Sequence, residues 1–134
     1  MISSLHNFIR VSDDNWTLEE SLTGKAFIPM GCNYYDPSAG GWPPKIWRKF
    51  NRRAVEHNFQ MMADLGVNAI RVFVSWSSFM PTKERLSQEA LDKCSELLSM
   101  AKTSGMRVNL TGPDFWEGYP RWLSPEDFVG YQHF

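Results

Sequence analysis

Two short junctions constrain this chain more than any other feature of its 134 residues. Leu65-Gly66-Val67 and Ser104-Gly105-Met106 each pass from a helical pattern to a strand pattern with almost no connecting residues. The strand-to-helix connections are longer. Tight helix-to-strand junctions with longer strand-to-helix loops favour parallel strands joined by right-handed crossovers.

The elements around those junctions follow from periodicity and punctuation. Phe8-Ile9-Arg10-Val11, the turn Asp13-Asp14-Asn15 and Trp16-Thr17-Leu18 read as a short hairpin, with the entry segment ending near residue 25. A first strand is predicted over Phe27–Tyr34, closed by Asp36-Pro37, and Ser38 to Pro44 is too rich in Gly and Pro to be anything but loop or turn. A helix of about 15–20 residues follows, with Val55, Phe59, Met62 and Leu65 on one face and Gly66 as its stop. The second strand is Asn68–Trp76. Ser87 then caps a second helix, with Leu86 and Leu91 spaced as a staple and Leu91, Cys94, Leu98 and Ala101 as its apolar face. Met106–Thr111 is the third strand, stopped by Gly112-Pro113, and Ser124-Pro125-Glu126-Asp127 starts a third helix.

Residues 26–134 therefore read as βαβαβ plus the start of a helix, with strands beginning about 40 residues apart. Alternation within the strands selects between architectures. Ile70, Val72, Val74 and Trp76 share one face and Arg71, Phe73 and Ser75 the other; Val108 and Leu110 oppose Arg107, Asn109 and Thr111; Ile28, Met30 and Cys32 oppose Phe27, Gly31 and Asn33. One apolar face under helices and one mixed, polar-tipped face suit a barrel lumen, whereas a doubly wound sheet buries both faces. The expected fold is α/β: the first three βα units of a (β/α)8 TIM barrel behind an N-terminal hairpin. A complete barrel needs about 250 residues, so the remainder is expected from further sequence, a partner chain or self-association.

The strand residues resemble a known family. Gly24-Lys25-Ala26-Phe27-Ile28-Pro29-Met30-Gly31-Cys32-Asn33-Tyr34-Tyr35 and Leu65-Gly66-Val67-Asn68-Ala69-Ile70-Arg71-Val72-Phe73 are similar to the first two strands of retaining (β/α)8 glycoside hydrolases, the cellulase and β-mannanase group of glycoside hydrolase family five. The resemblance runs from about Phe8 to the C-terminus. It implies cleavage of β-linked glucan or mannan-type bonds by double displacement between two glutamates. It also implies that Arg71 orients the nucleophilic glutamate, since a fixed guanidinium holds a carboxylate's rotamer and lowers its pKa. The alternative for Arg71 is a structural ion pair facing the lumen. In the family the acid/base glutamate follows an Asn-Glu-Pro-like signature after the fourth strand and the nucleophile follows the seventh; no Asn-Glu dipeptide occurs here. The third strand often ends in His in that family, where this chain has Thr111-Gly112-Pro113-Asp114.

Other candidates sit at predicted strand ends. Asn33 and Tyr34 would hydrogen-bond or stack on a sugar, or else serve the turn before Asp36-Pro37. Trp76, Trp116 and Trp122 lie where pyranose platforms are expected, Trp116 being the best placed and Trp122 the most core-like, while Trp42 and Trp47 either border a cleft or pin their loop. Asp114 and Glu117 are rim carboxylates; one loop seldom holds two carboxylates about 5–5.5 Å apart across a glycosidic bond, so hydroxyl binding or loop structure is the expected role.

Composition removes other classes. Fourteen Lys and Arg against fifteen Asp and Glu give a net charge of -1, and the basic run Lys45 to Arg53 reads as a solvated helix face, so no nucleic-acid partner is expected. Cys32 and Cys94 are 62 residues apart, and His6, His57 and His133 have no metal-ligand spacing, so no disulfide framework, metal or cofactor is expected. The most apolar stretch, Val67–Trp76, is broken by Asn68, Arg71 and Ser75, so no membrane span is expected, and no signal sequence is visible at Met1–His6. Compartment stays open, since the Asn15-Trp16-Thr17 and Asn109-Leu110-Thr111 sequons do not decide it. The expected partner is an oligosaccharide or polysaccharide. A non-catalytic carbohydrate-binding or self-assembling partial barrel is the alternative, and a barrel with other chemistry a third.

Overall fold

A computed structural model describes residues 7–41, 43–114, 116, 118–124 and 126. The chain forms two compact units, Met1–Met30 and Gly31–Phe134. In the first, β1 (Ile9–Val11), β2 (Leu18–Glu20) and β3 (Ala26–Phe27) make an antiparallel meander. The hairpin turn lies where Asp13-Asp14-Asn15 predicts it. Asn15 takes the left-handed conformation at φ 62°, and the Asp14 carboxylate accepts the Ser12 hydroxyl and the Trp16 N–H, an Asx-type closure.

The second unit holds a parallel sheet in the order β4-β5-β6: β4 is Gly31–Asn33, β5 Ala69–Ser75 and β6 Arg107–Asp114. The single strand expected over Phe27–Tyr34 is thus two short ones. Phe27 is the last residue paired to β2, Pro29 has no N–H for a ladder, and pairing resumes at Gly31 with Ala69. Helix α1 (Arg52–Asp64) joins β4 to β5, and α3 (Gln88–Thr103) joins β5 to β6. The loop read over Ser38–Pro44 contains a 3-10 turn at Pro37–Ala39 and leads into another at Pro43–Trp47. One further turn was not legible: α2 (Trp76–Phe79) starts straight from β5, capped by Ser75, whose hydroxyl accepts the Ser78 N–H. The third helix read at Ser124–Asp127, like Trp42, His6 and His133, falls partly or wholly outside the described residues.

Both long helices pack on one face of the sheet. Ile70 and Val72 of β5 share a core with Val55 and Phe59 of α1 and with Ala90, Cys94, Leu97, Met100 and Ala101 of α3. Ser87 caps α3 as its sequence predicts, accepting the Ala90 N–H. The buried stripe is rotated from the one expected: Ala90, Cys94, Leu97 and Ala101 fill it, while Leu91 and Leu98 lie at its exposed margin. Leu65, expected on the α1 face, is 78% exposed because α1 closes at Asp64 and Leu65 caps it. Leu110 points as its parity predicts yet is 45% exposed, since β6 is the edge of the sheet beyond α3.

Two backbone approaches admit no side chain. A Cβ on Gly31 would collide with the Ala69 carbonyl oxygen, and one on Gly112, at φ 142°, with that of Val74. Gly31→Ala is therefore expected to destabilise by about 1–3 kcal/mol, seen as a lower thermal midpoint; an unchanged midpoint would mean that β4 does not pair so closely.

Tyr34 supplies a pH signature. Its ring packs edge-to-face on Phe59 at 5.0 Å, and burial pushes its hydroxyl up to about 12 from 10.0, against the Asn58 amide that donates to it at 3.2 Å. A tyrosine whose folded pKa is raised contributes stability that is complete below the unfolded value and lost as pH climbs from about 10 to about 12. Tyr34→Phe should flatten that loss, measured as urea midpoints at about pH 9 and about pH 11. An equally steep loss in the variant would assign the alkaline transition to another group.

Candidate functional site

The face of the sheet away from the helices carries the candidate site. Strand register places Asn33, Arg71 and Asn109 in one row across β4, β5 and β6, with Phe73 opposite Thr111 in the next. Arg71 and Phe73 are two apart on β5 and so project to the same side. The Arg71 Nε–H donates to Thr111 Oγ1 at 2.8 Å, and its guanidinium carbon lies 4.7 Å from the Phe73 ring centroid, within cation–π range. On Phe73 the Trp116 ring stacks at 4.9 Å and 24°. Among the described residues no carboxylate pairs with Arg71. Thr111 fixes the guanidinium at Nε, and the residue is exposed.

Trp116 is 49% exposed and its N–H donates to Asp114 Oδ1 at 3.1 Å. Asp114 ends β6 opposite Ser75, one rung past the register shift between Phe73 and Ser75. Its carboxylate thus shapes the turn that presents Trp116. Asn33 is exposed at the end of β4 beside Arg71. Glu117 lies outside the described residues.

Two expected rim residues are elsewhere. Tyr34 is only 5% exposed, drawn under α1 by Phe59 and Asn58 rather than standing at the mouth of the first strand. Trp76 is also buried, because β5 ends at Ser75 and α2 turns the indole inward against Trp122 at 5.7 Å. Trp122 is itself held, half-buried and donating from Nε1 to the Met80 carbonyl at 2.7 Å. Phe73 and Thr111 are the site residues that the sequence reading left unassigned. The signal for Phe73 was its i+2 spacing from Arg71; Thr111 shows up only once the register of β5 and β6 is known. The basic run is solvated as expected: Lys45, Arg48, Lys49, Arg52 and Arg53 are exposed, and Arg52 pairs with Glu56 and Glu96. Among the described residues no group of three or more His, Cys, Asp or Glu could hold a metal ion, and no helix is long and apolar enough to cross a membrane.

Comparison with known proteins gives this geometry a context. A family model of glycoside hydrolase family 42, described as Beta-galactosidase, matches residues 42–127. An exo-beta-1,4-mannosidase from Opitutaceae bacterium strain TAV5 is similar in structure, with a TM-score of 0.68 and 26% identity over 78% of this chain and 19% of that one. GH5_18 from Streptomyces cattleya, solved in complex with GlcNAc, gives 0.53 and 29% over 61% of this chain and 19% of its own. A mutant of a glycoside hydrolase family 5 mannosidase from Rhizomucor miehei gives 0.63 over 95% of this chain and 33% of its own; at 20% identity it speaks to the fold alone. The chain thus spans a fifth to a third of the length of these structures. No curated protein sequence matches it.

Proposed function

Since the chain belongs to glycoside hydrolase family 42, we propose that it forms the first three βα units of a (β/α)8 glycosidase that cleaves β-linked sugars with retention. Sequence resemblance and the similar structures point to family five and its mannosidases, and the family model carries the name of a β-galactosidase. The proposed substrate is accordingly a β-linked glucan or mannan-type chain, with a β-galactoside the nearest variation on it. Helices packed on one face of the sheet, with a polar row on the other, suit a barrel wall.

The single observation that carries this reading is the half-committed guanidinium of Arg71. Its Nε is tied to Thr111 and its plane rests by Phe73, so it is preorganised without a carboxylate of its own. A nucleophilic glutamate from a later strand would take its remaining N–H groups, stay ionised and keep the rotamer needed to attack the anomeric carbon. The acid/base glutamate would protonate the leaving oxygen and then activate water against the glycosyl ester. This segment contributes neither carboxylate. Its part is to orient the nucleophile and, through Trp116, Asn33, Asp114 and Glu117, to bind sugar at the rim, Trp116 by stacking and the polar side chains by hydrogen bonds to hydroxyls.

In the complete enzyme, Arg71→Ala should lower kcat about 100-fold or more while sugar still binds, as loss of a preorganised electrostatic partner does. Turnover of an aryl β-glycoside at the unaltered rate would remove Arg71 from the reaction. Trp116→Ala should act differently, weakening oligosaccharide binding by about 0.5–1.5 kcal/mol of lost stacking. Isothermal titration with mannan and glucan oligosaccharides checks this, and equal affinity in the variant would leave Trp116 a packing residue of Phe73.

A further inference from the structure

Past Arg71, β5 loses its neighbour on the β4 side. The Arg71 carbonyl accepts the Tyr34 N–H at 2.8 Å. Backbone groups alternate along a strand, so the Phe73 carbonyl points to the same side. The next rung would be the N–H of Asp36, but there the chain has left the sheet: the Asp36 carboxylate caps the 3-10 turn by accepting the Ser38 N–H and hydroxyl. The Phe73 carbonyl accepts the indole Nε1–H of Trp47 instead, at 2.6 Å. On its other edge the ladder is interrupted, with the register shifting between Phe73 and Ser75.

Trp47 is itself firmly seated. It is buried, packs edge-to-face on Phe79 at 5.0 Å, and its own carbonyl accepts Lys93 Nζ at 2.7 Å. Lys93 is in turn paired with Glu89 one turn back on α3. A chain of contacts therefore runs from α3 through Trp47 to the backbone of Phe73, whose ring carries both the Arg71 guanidinium and the Trp116 ring.

We propose that Trp47 is a positioning residue: its indole N–H replaces the missing β4 rung, fixes Phe73, and so aims Arg71, with Lys93 as the link that holds Trp47 in place. The inference rests on the functional reading only in that Arg71 serves the reaction. A buried carbonyl left without its donor would seek another partner and rotate the peptide that aims the Phe73 ring.

The test uses Trp47→Phe, which keeps an aromatic ring on Phe79 and deletes the N–H, and Lys93→Met, which releases the Trp47 carbonyl. Both are made in the full-length enzyme. The first readout is the NMR signal of the Arg71 Nε–H, identified by its disappearance in Arg71→Lys. Both variants should displace that signal and speed its exchange with solvent by about tenfold or more, as the Thr111 bond loosens. The second readout is kinetic. kcat should fall about 10- to 100-fold with KM nearly unchanged, and Trp47→Phe combined with Arg71→Ala should be no slower than Arg71→Ala alone. An unmoved Arg71 signal in both variants overturns the positioning role, whatever happens to turnover or thermal stability. A displaced signal with full turnover upholds the positioning and overturns instead the reading of Arg71 as part of the reaction. If Trp47→Phe does not fold, Lys93→Met carries both readouts.

Discussion

β5 is hydrogen-bonded on both edges, to β4 through Gly31–Asn33 and to β6 through Arg107–Asp114, and a strand held on both sides cannot slip by one residue. Such a slip would turn Ile70 and Val72 out of the core and carry Arg71 and Phe73 into it. The pairing is tight enough on the β4 side that Gly31 has no room for a Cβ. Everything of functional interest follows from that register. It sets Arg71 beside Asn33 and Asn109, brings Thr111 within reach of the guanidinium, and leaves the Phe73 carbonyl one rung beyond the end of β4.

The helix-covered face and the open face have different duties. The first is apolar, filled from α1 and α3, and supplies the cooperative stability of the second unit. The second is assembled from Arg71, Phe73 and Thr111 on β5 and β6 and from Trp116 just beyond β6, so its geometry depends on the strand register and on the turn after Asp114. Arg71 shows the result: a cation held by a hydroxyl and an aromatic ring in place of a carboxylate. That arrangement orients the group without neutralising it, as the proposed positioning of a carboxylate would require.

Much of this was legible in the residues themselves. Gly66 and Gly105 marked the two helix ends, Ser87 marked a cap, and alternation in Asn68–Trp76 separated the core face from the Arg71 face. Errors arose where tertiary context overrode a local pattern. Phe27–Tyr34 looks like one strand, but Pro29 and pairing to two different partners divide it. Leu98 and Leu97 fit a helical stripe almost equally, and only packing against β5 and α1 selects Leu97. Tyr34 and Trp76 lie at the strand ends where the sequence puts them, yet both rings turn inward, because Asn58 and Phe59 draw one and Ser75 starts a helical turn at the other. Trp47, 26 residues from Phe73, had no local signal for its bond to that carbonyl.

The proposed reaction turns on one relation, between Arg71 and a glutamate supplied by a later strand of the proposed barrel. A crystal structure of the complete enzyme trapped with a 2-deoxy-2-fluoro-β-glycoside tests it most directly, because such a substrate halts retaining chemistry at the glycosyl ester. The expected result is an ester on a glutamate beyond these 134 residues, its free oxygen within about 2.7–3.2 Å of an Arg71 nitrogen. An ester on Asp114 or Glu117, or a trapped carboxylate with no contact to Arg71, would contradict it.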